Sequence, residues 1–201
     1  MKLSKDFYLQ PNVLGIGKDL LGKILVTKIN NKITSGIICE TEAYNGIIDR
    51  ASHAFGNRRT PRTETMYADG GIAYIYLCYG IHHLFNVVTN IKNVPHAVLI
   101  RGIHPLDGIA EILKRKKLSA LKKNMGPPGL TIRTGIGPGN VSTCLGLHTR
   151  FDKTSLQGNK IWIEDRQIKV NKKDIIIGPR VGVDYAGEDA RLPYRFQYRF
   201  E

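Results

Sequence analysis

Cysteine is scarce in this chain. Cys39, Cys78 and Cys144 are the only three in 201 residues, far apart and mostly in apolar company. Three thiols cannot complete a four-cysteine zinc or iron–sulfur site. They read as reduced, buried side chains of an intracellular protein. Long apolar runs are also missing. No segment approaches the ~20 apolar residues of a membrane span. Met1-Lys2-Leu3-Ser4-Lys5-Asp6 lacks the apolar stretch of a signal peptide. No membrane association is therefore expected. Neither a low-complexity linker nor an internal repeat breaks the chain, so residues 1–201 read as a single domain. The zinc-deaminase pattern of His-x-Glu with Pro-Cys-x-x-Cys is absent. Gly135-Ile136-Gly137-Pro138-Gly139 is not G-x-G-x-x-G, which rejects a dinucleotide site. Neither a metal nor a cofactor is expected. Acidic residues are outnumbered, 17 against 30 Lys plus Arg, giving a formal charge of +13. That surplus favours polyanions and speeds association with them, without saying which polyanion.

A hydrophobic share of 42% and a charged share of 23% are those of an ordinary folded enzyme, and the length suffices for a real core. Residues 18–27 read as a helix end running into a strand, and 33–44 as a strand. Residues 45–70, rich in Gly, Asp, Asn, Arg and Thr, read as a long irregular loop, and loops of that length usually have a job. The β-rich runs 72–79 and 84–89 flank Gly80 and predict a hairpin, and 96–103 predicts another strand. A helix is predicted over 105–117 with Pro105 in its first turn. Its basic end, Lys114 to Lys117, reads as a solvated face suiting a helix C-terminus. Residues 124–139 are dense in Gly and Pro and read as loop, 140–147 suit a short helix, and the tail from 160 alternates short strands and turns. Together these predict an α+β fold: one compact domain around a curved, mostly antiparallel sheet with peripheral helices.

Two segments carry chemistry. In a strand, residues two apart share a face, so Glu40, Glu42 and Tyr44 point one way. Two carboxylates and an aromatic are awkward as core. They suit either a pocket wall or an exposed face of solvated glutamates. In the hairpin, Tyr74 and Tyr76 share a face, and Tyr79 sits at the turn on the other parity. A strand rich in tyrosine is one reading. The other is an aromatic surface that stacks on an extruded base while a tip residue fills the gap left in the duplex. A carboxylate, an aromatic box and a strongly basic chain are what base flipping followed by hydrolysis requires.

The stretches 38–54 (ICETEAYNGIIDRASHA), 59–62 (RTPR), 74–86 (YIYLCYGIHHLFN) and 97–105 (AVLIRGIHP) resemble the alkyladenine (3-methyladenine) DNA glycosylase family. LLGK at 20–23, GPGN at 137–140 and GPRVGVDYAGEDA at 178–190 extend the resemblance in order along most of the chain. It implies a monofunctional DNA repair enzyme that flips alkylated or deaminated purines from duplex DNA and hydrolyses the N-glycosidic bond with water. It also implies a protruding hairpin that enters damaged duplex DNA through the minor groove, and action as a monomer. Position by position, Glu42 matches the general base and Arg101 an arginine beside it that helps place water and nucleotide. Tyr44 and His53 match the stack on one side of the flipped base, and Tyr76 the aromatic on the other. Tyr79 matches the intercalating residue, and Asn86 the residue that obstructs the exocyclic amine of guanine. Of these, the strand and hairpin patterns alone single out Glu42, Tyr44, Tyr76 and Tyr79; His53, Asn86 and Arg101 come only from the resemblance.

Where the family commonly has lysine after Gly-Pro-Gly, this chain has Asn140, with a basic stretch at 114–123 as a candidate replacement. Residues 63–67 carry no assigned role, and His82 and His83 read as exposed or as touching DNA. No acid for a neutral leaving base is evident. A non-catalytic nucleic-acid-binding domain and an RNA-modifying enzyme are the alternatives, although an acid facing phosphate argues against a pure binder. The pocket assignment also makes a geometric demand. Tyr76 and Asn86 can share a pocket only if the hairpin loop is odd-numbered or bulged near Gly80.

Overall fold

The computed structural model describes residues 1–117 and 134–200. Two short helices, α1 (Lys5–Leu9) and α2 (Val13–Asp19), lead into β1 (Ile24–Ile29) and the long β2 (Lys32–Tyr44). The loop that follows is irregular, as its composition predicts, with single 3-10 turns at Gly46–Ile48, Phe55–Asn57 and Glu64–Tyr67. Then come β3 (Ala73–Cys78), β4 (His82–Thr89), β5 (His96–Pro105), α3 (Ile109–Arg115) and α4 (Pro138–Leu145). The short strands β6 (Ile161–Glu164), β7 (Ile176–Gly178) and β8 (Arg195–Gln197) complete the described residues. No helix among them is long and apolar enough to cross a membrane.

The strands form one antiparallel sheet in the order β3-β4-β5-β2-β1-β6, with β8 on β2 and β7 on β8. It curls into a half-barrel, as expected of the α+β reading. Curvature concentrates in β2. Its pairing with β5 shifts register on both sides of Glu40. Such bulges bend a strand and let it change partner. Accordingly β2 pairs β1 through Ile37, and β8 over Glu40–Glu42.

The main core lies between the sheet and helices α2 and α4, around Ile16, Leu20, Ile38, Phe85, Ile100, Ile103, Val141 and Cys144. A second cluster, with Ala54, Met66, Tyr67, Tyr74, Val88 and Ala97, fills the other side of the hairpin. β4 is thus sandwiched, Phe85 and Val87 into one core and Val88 into the other, which anchors the hairpin base. All three cysteines are free thiols; Cys39 and Cys144 are buried and Cys78 is half-buried.

Three local readings need correction. The strand β5 continues through Pro105, which pairs with Gly36, and the helix starts only at Ile109. Ser35 and Asp107 exchange side-chain and backbone hydrogen bonds at 2.7 and 3.1 Å, holding the chain to β2. Gly108 then turns it at φ 73°, where a Cβ would meet the Ile33 carbonyl oxygen at 2.2 Å. The basic end of α3 is not uniformly solvated. Arg115 points inward, donating to Thr34 Oγ1 at 3.0 Å and the Cys144 carbonyl at 3.1 Å. Helix α4 begins two residues early because Pro138 suits a first turn, and Gly146 closes it in the left-handed region. Of the loop expected at 124–139, residues 124–133 lie outside the described residues.

Candidate active site

One row of paired residues crosses four strands. Tyr74 on β3 faces Asn86 on β4, which faces Leu99 on β5, which faces Glu42 on β2. Strands lie about 4.8 Å apart, so the acid and the aromatic wall are separated by roughly 14 Å of backbone, a span that long side chains close. The hairpin meets its geometric demand. Cys78 pairs with His82, leaving the three-residue loop Tyr79-Gly80-Ile81, and Tyr76 and Asn86 therefore share a face. Tyr79 and Gly80 take positive φ of 50° and 72°. The tip presents its two apolar side chains to solvent, Tyr79 being 89% and Ile81 71% exposed.

Glu40 and Glu42 lie on one side of β2, as alternation predicts, and they are buried, at 4% and 0% exposure. Arg101 Nε spans them, 3.1 Å from Glu40 and 3.3 Å from Glu42, and Arg195 adds a contact to Glu40 at 3.4 Å. Glu42 Oε1 also accepts the Val181 amide at 2.8 Å, and Oε2 accepts the Tyr44 hydroxyl at 3.0 Å. Burial pushes the Glu42 carboxyl up from its ordinary value; Arg101, Val181 and Tyr44 pull it down without cancelling that rise. A carboxylate offers about four lone-pair positions. Two accept hydrogen bonds from the described residues, and Arg101 stands beside Oε1 as an ion pair, so acceptor capacity remains.

Arg180 fixes the loop that supplies the Val181 amide. It is buried against Asp49, donates to the Ala43 carbonyl at 2.9 Å, and lies over Tyr44 with its carbon 4.8 Å from the ring centroid. Asp49 in turn accepts the Asn45 and Ala51 amides at 2.9 and 3.0 Å. One ion pair thus joins the loop after β2, the Tyr44 ring and the carboxylate's amide donor.

The aromatic side is built differently. His53 Nδ1 and the Tyr74 hydroxyl are hydrogen-bonded at 2.9 Å, and the His53 and Tyr76 rings meet edge to face at 4.7 Å. Burial, then the Arg62 and Arg58 charges, lower His53 to about 4, so it is neutral near pH 7. Asn86 commits its amide hydrogens to the Tyr74 and Leu84 carbonyls at 3.1 and 3.3 Å, which fixes its orientation. The recess between Tyr44, His53, Tyr76 and Asn86 is only about 30 Å³. That is a water's worth of space and not a purine's. It opens beside a cleft of about 600 Å³ that reaches Glu42, Arg101, Tyr44, His53, Tyr76 and the tip residue Tyr79. Six of the seven sequence-predicted site residues therefore meet at one cleft, and Asn86 lies in the recess behind it.

Sequence reasoning passed over Asp49, Arg62, Arg180 and Tyr185. All four lie within stretches quoted for the resemblance, but neither strand alternation nor hairpin parity marks them. Arg62 rests over the Tyr76 ring at 5.0 Å and touches His53 Nε2 at 3.5 Å. Tyr185 closes the cleft's rim, its hydroxyl donating to the Ala51 carbonyl at 3.1 Å. Residues 63–67 prove structural: Thr65 donates to Asp152 at 2.8 Å, and Glu64 pairs with Arg59. His82 is exposed at the cleft edge, and His83 is half-buried against His148. Asn140 accepts from Lys116 Nζ at 2.5 Å, so an ammonium does stand beside the Gly-Pro-Gly turn.

A buried, donor-rich carboxylate at the foot of an aromatic-walled cleft, on a chain of charge +13, suits an enzyme of extruded nucleobases. The family model for methylpurine-DNA glycosylase matches residues 6–200. A Chlamydia felis protein named provisionally as a 3-methyladenine DNA glycosylase is 46% identical over 194 residues, covering 96% of this chain and 94% of its own length. Identically named proteins of Clostridium perfringens strain SM101 and Bacillus cereus strain B4264 are 42% and 40% identical; each alignment covers 98% of this chain, and 95% and 96% of theirs. The chain belongs to the methylpurine-DNA glycosylase family: it is a DNA glycosylase, a hydrolase acting on N-glycosyl bonds in DNA repair.

Proposed function

We propose that the protein extrudes alkylated or deaminated purines of the 3-methyladenine, 7-methylguanine, hypoxanthine and ethenoadenine class from duplex DNA. It then hydrolyses their N-glycosidic bond with a water activated by Glu42, which initiates base excision repair. The observation that carries this reading is Glu42: a fully buried carboxylate with acceptor capacity left, in the same cleft as Tyr44, His53, Tyr76 and Tyr79.

The bond breaks through an oxocarbenium-like sugar cation, which an adjacent carboxylate stabilises while it takes the water's proton. The Val181 amide and the Tyr44 hydroxyl donate to Glu42 and the Arg101 charge lies beside it; all three favour its ionised form and oppose the rise that burial imposes. Arg101, shared by Glu40 and Glu42, offsets the charge of two adjacent acids. An alkylated base carries positive charge, which favours tyrosine faces and leaves easily. A neutral His53 adds no repulsion to it. The His53 and Tyr76 rings must part to admit the base, and Arg62 must leave the Tyr76 face as they do. Tyr79 enters the vacated space in the duplex from the minor groove, the protein acting as a monomer. Lys116 supplies a phosphate contact where Asn140 cannot.

The test is base release from duplexes carrying one alkylated adenine, hypoxanthine or ethenoadenine. Release without a borohydride-trappable protein–DNA adduct is expected. Binding without release, a trapped adduct, or a preference for structured RNA would overturn the reading.

A further inference from the structure

The hairpin has a second face. Tyr76 and Leu84 look toward the cleft described above, whereas His83, on the other parity, looks away from it. On that far side lies a separate cleft of about 370 Å³, bounded by the hairpin, α4 and the turn between β1 and β2. His82 and Gly139 line both clefts, so the two share one wall that ends in the exposed tip. Gly139 allows this closeness: a Cβ there would come within 2.8 Å of His82 Nδ1.

The second cleft is built for an anion. Lys32, Arg115, Arg150 and the three histidines 82, 83 and 148 line it against one acid among the described residues, Glu111, which Arg115 already engages at 3.1 Å. Two of its polar atoms are buried without a hydrogen-bond partner among the described residues: Ser142 Oγ, on a residue only 2% exposed, and His83 Nδ1. Burying a donor unsatisfied costs stability. A phosphate oxygen reaching them would accept from Ser142 Oγ and, in the tautomer protonated there, from His83 Nδ1. The His83 and His148 rings, 3.8 Å apart, hold one side of it in place.

We propose that this cleft seats a backbone phosphodiester of the DNA on the far side of the wedge, so that the duplex grips the hairpin on both faces. Ser142 and His83 donate to the phosphate oxygens, and Lys32 and Arg150 neutralise them. This site deepens the proposed function and rests on it, since it takes the inserted tip as its point of reference. Sites that position the tip by phosphate contact set register without reading sequence.

The experiment uses the full chain and a lesion duplex scanned with neutral methylphosphonates, one phosphate at a time on each strand. Wild type is expected to lose about tenfold in affinity at one or two positions beyond the wedge. The exposed-residue variants Lys32→Gln and Arg150→Gln and the neutral Ser142→Ala are each expected to bind less tightly and to be insensitive at those positions. The two charge variants also lower the slope of log K against log salt by about one each. Sensitive positions on the complementary strand, with affinity for single-stranded lesion DNA unchanged in the variants, assign the phosphate to that strand. Sensitive positions on the damaged strand, with both substrates affected, assign it there. Equal losses at every phosphate, or the same loss from Lys172→Gln on a distant surface, mean diffuse electrostatics and overturn the site. So does an unaltered Ser142→Ala, or selective loss of binding to an acidic peptide in place of DNA. The site itself is read from binding alone, so it can fail while the glycosylase reading stands, and the reverse.

Discussion

The two ends of the cleft are made in opposite ways. At the acid end, Glu42, Asp49 and Arg180 are buried and Arg101 half-buried, and each is held by several partners drawn from distant parts of the chain. At the hairpin end, Tyr79 and Ile81 stand in solvent on a three-residue loop whose first residue adopts a left-handed conformation without being glycine. Chemistry needs fixed charges, because preorganised dipoles cost nothing to reorient as the sugar cation develops. Insertion needs an apolar tip that is free to enter another molecule. Between the two lies the recess, closed in this state by the contact of His53 with Tyr76.

The sharpest way to break this contrast is Glu42→Gln. It is expected to lower single-turnover excision by roughly 10²–10⁴-fold, the range of general-base catalysis, with lesion-duplex affinity retained; binding and base release measured side by side check it. Next comes Asp49→Ala, which strands Arg180 in the interior. Breaking a buried pair on one side costs about 3–5 kcal/mol, readable as a lowered midpoint in denaturant. Tyr76→Ala is expected to leave the fold intact and to weaken lesion binding by about 1–3 kcal/mol, some 5–150-fold, seen in titrations against damaged duplex. The smallest change in stability is expected of Tyr79→Gly. Relief of the left-handed strain offsets glycine's entropy cost, so thermal stability stays level or rises by up to about 1 kcal/mol. Excision from duplex DNA nevertheless falls, while excision from single strands does not. A stability loss comparable to that of Asp49→Ala would erase the distinction between the two ends.

The same contrast governs what could be read from sequence. Alternation in β2 and β3 placed Glu40, Glu42, Tyr74 and Tyr76 on their faces, because period two survives folding. Hairpin parity even required the odd loop that Tyr79, Gly80 and Ile81 form. Burial of the two glutamates was not legible. It depends on Arg101, Arg195 and Val181, between 59 and 155 residues away along the chain. Asp49 and Arg180 were invisible for the same reason: an ion pair across 131 positions leaves no local pattern. The start of α3 was misplaced because Pro105 fits both a first helical turn and the end of a strand. Only the pairing of Ser35 with Asp107 decides between them. The five-residue α1 is too short to show any periodicity.

The role of an ionised Glu42 is tested most directly by the pH dependence of single-turnover base release, wild type against Glu42→Gln. The proposed mechanism requires the deprotonated acid, and burial raises its pKa. Activity should therefore fall with decreasing pH along a limb set above the ordinary range of a glutamate, and the small residual rate of Glu42→Gln should lack that limb. A wild-type rate flat through that range, or the same limb in the variant, would contradict the assignment.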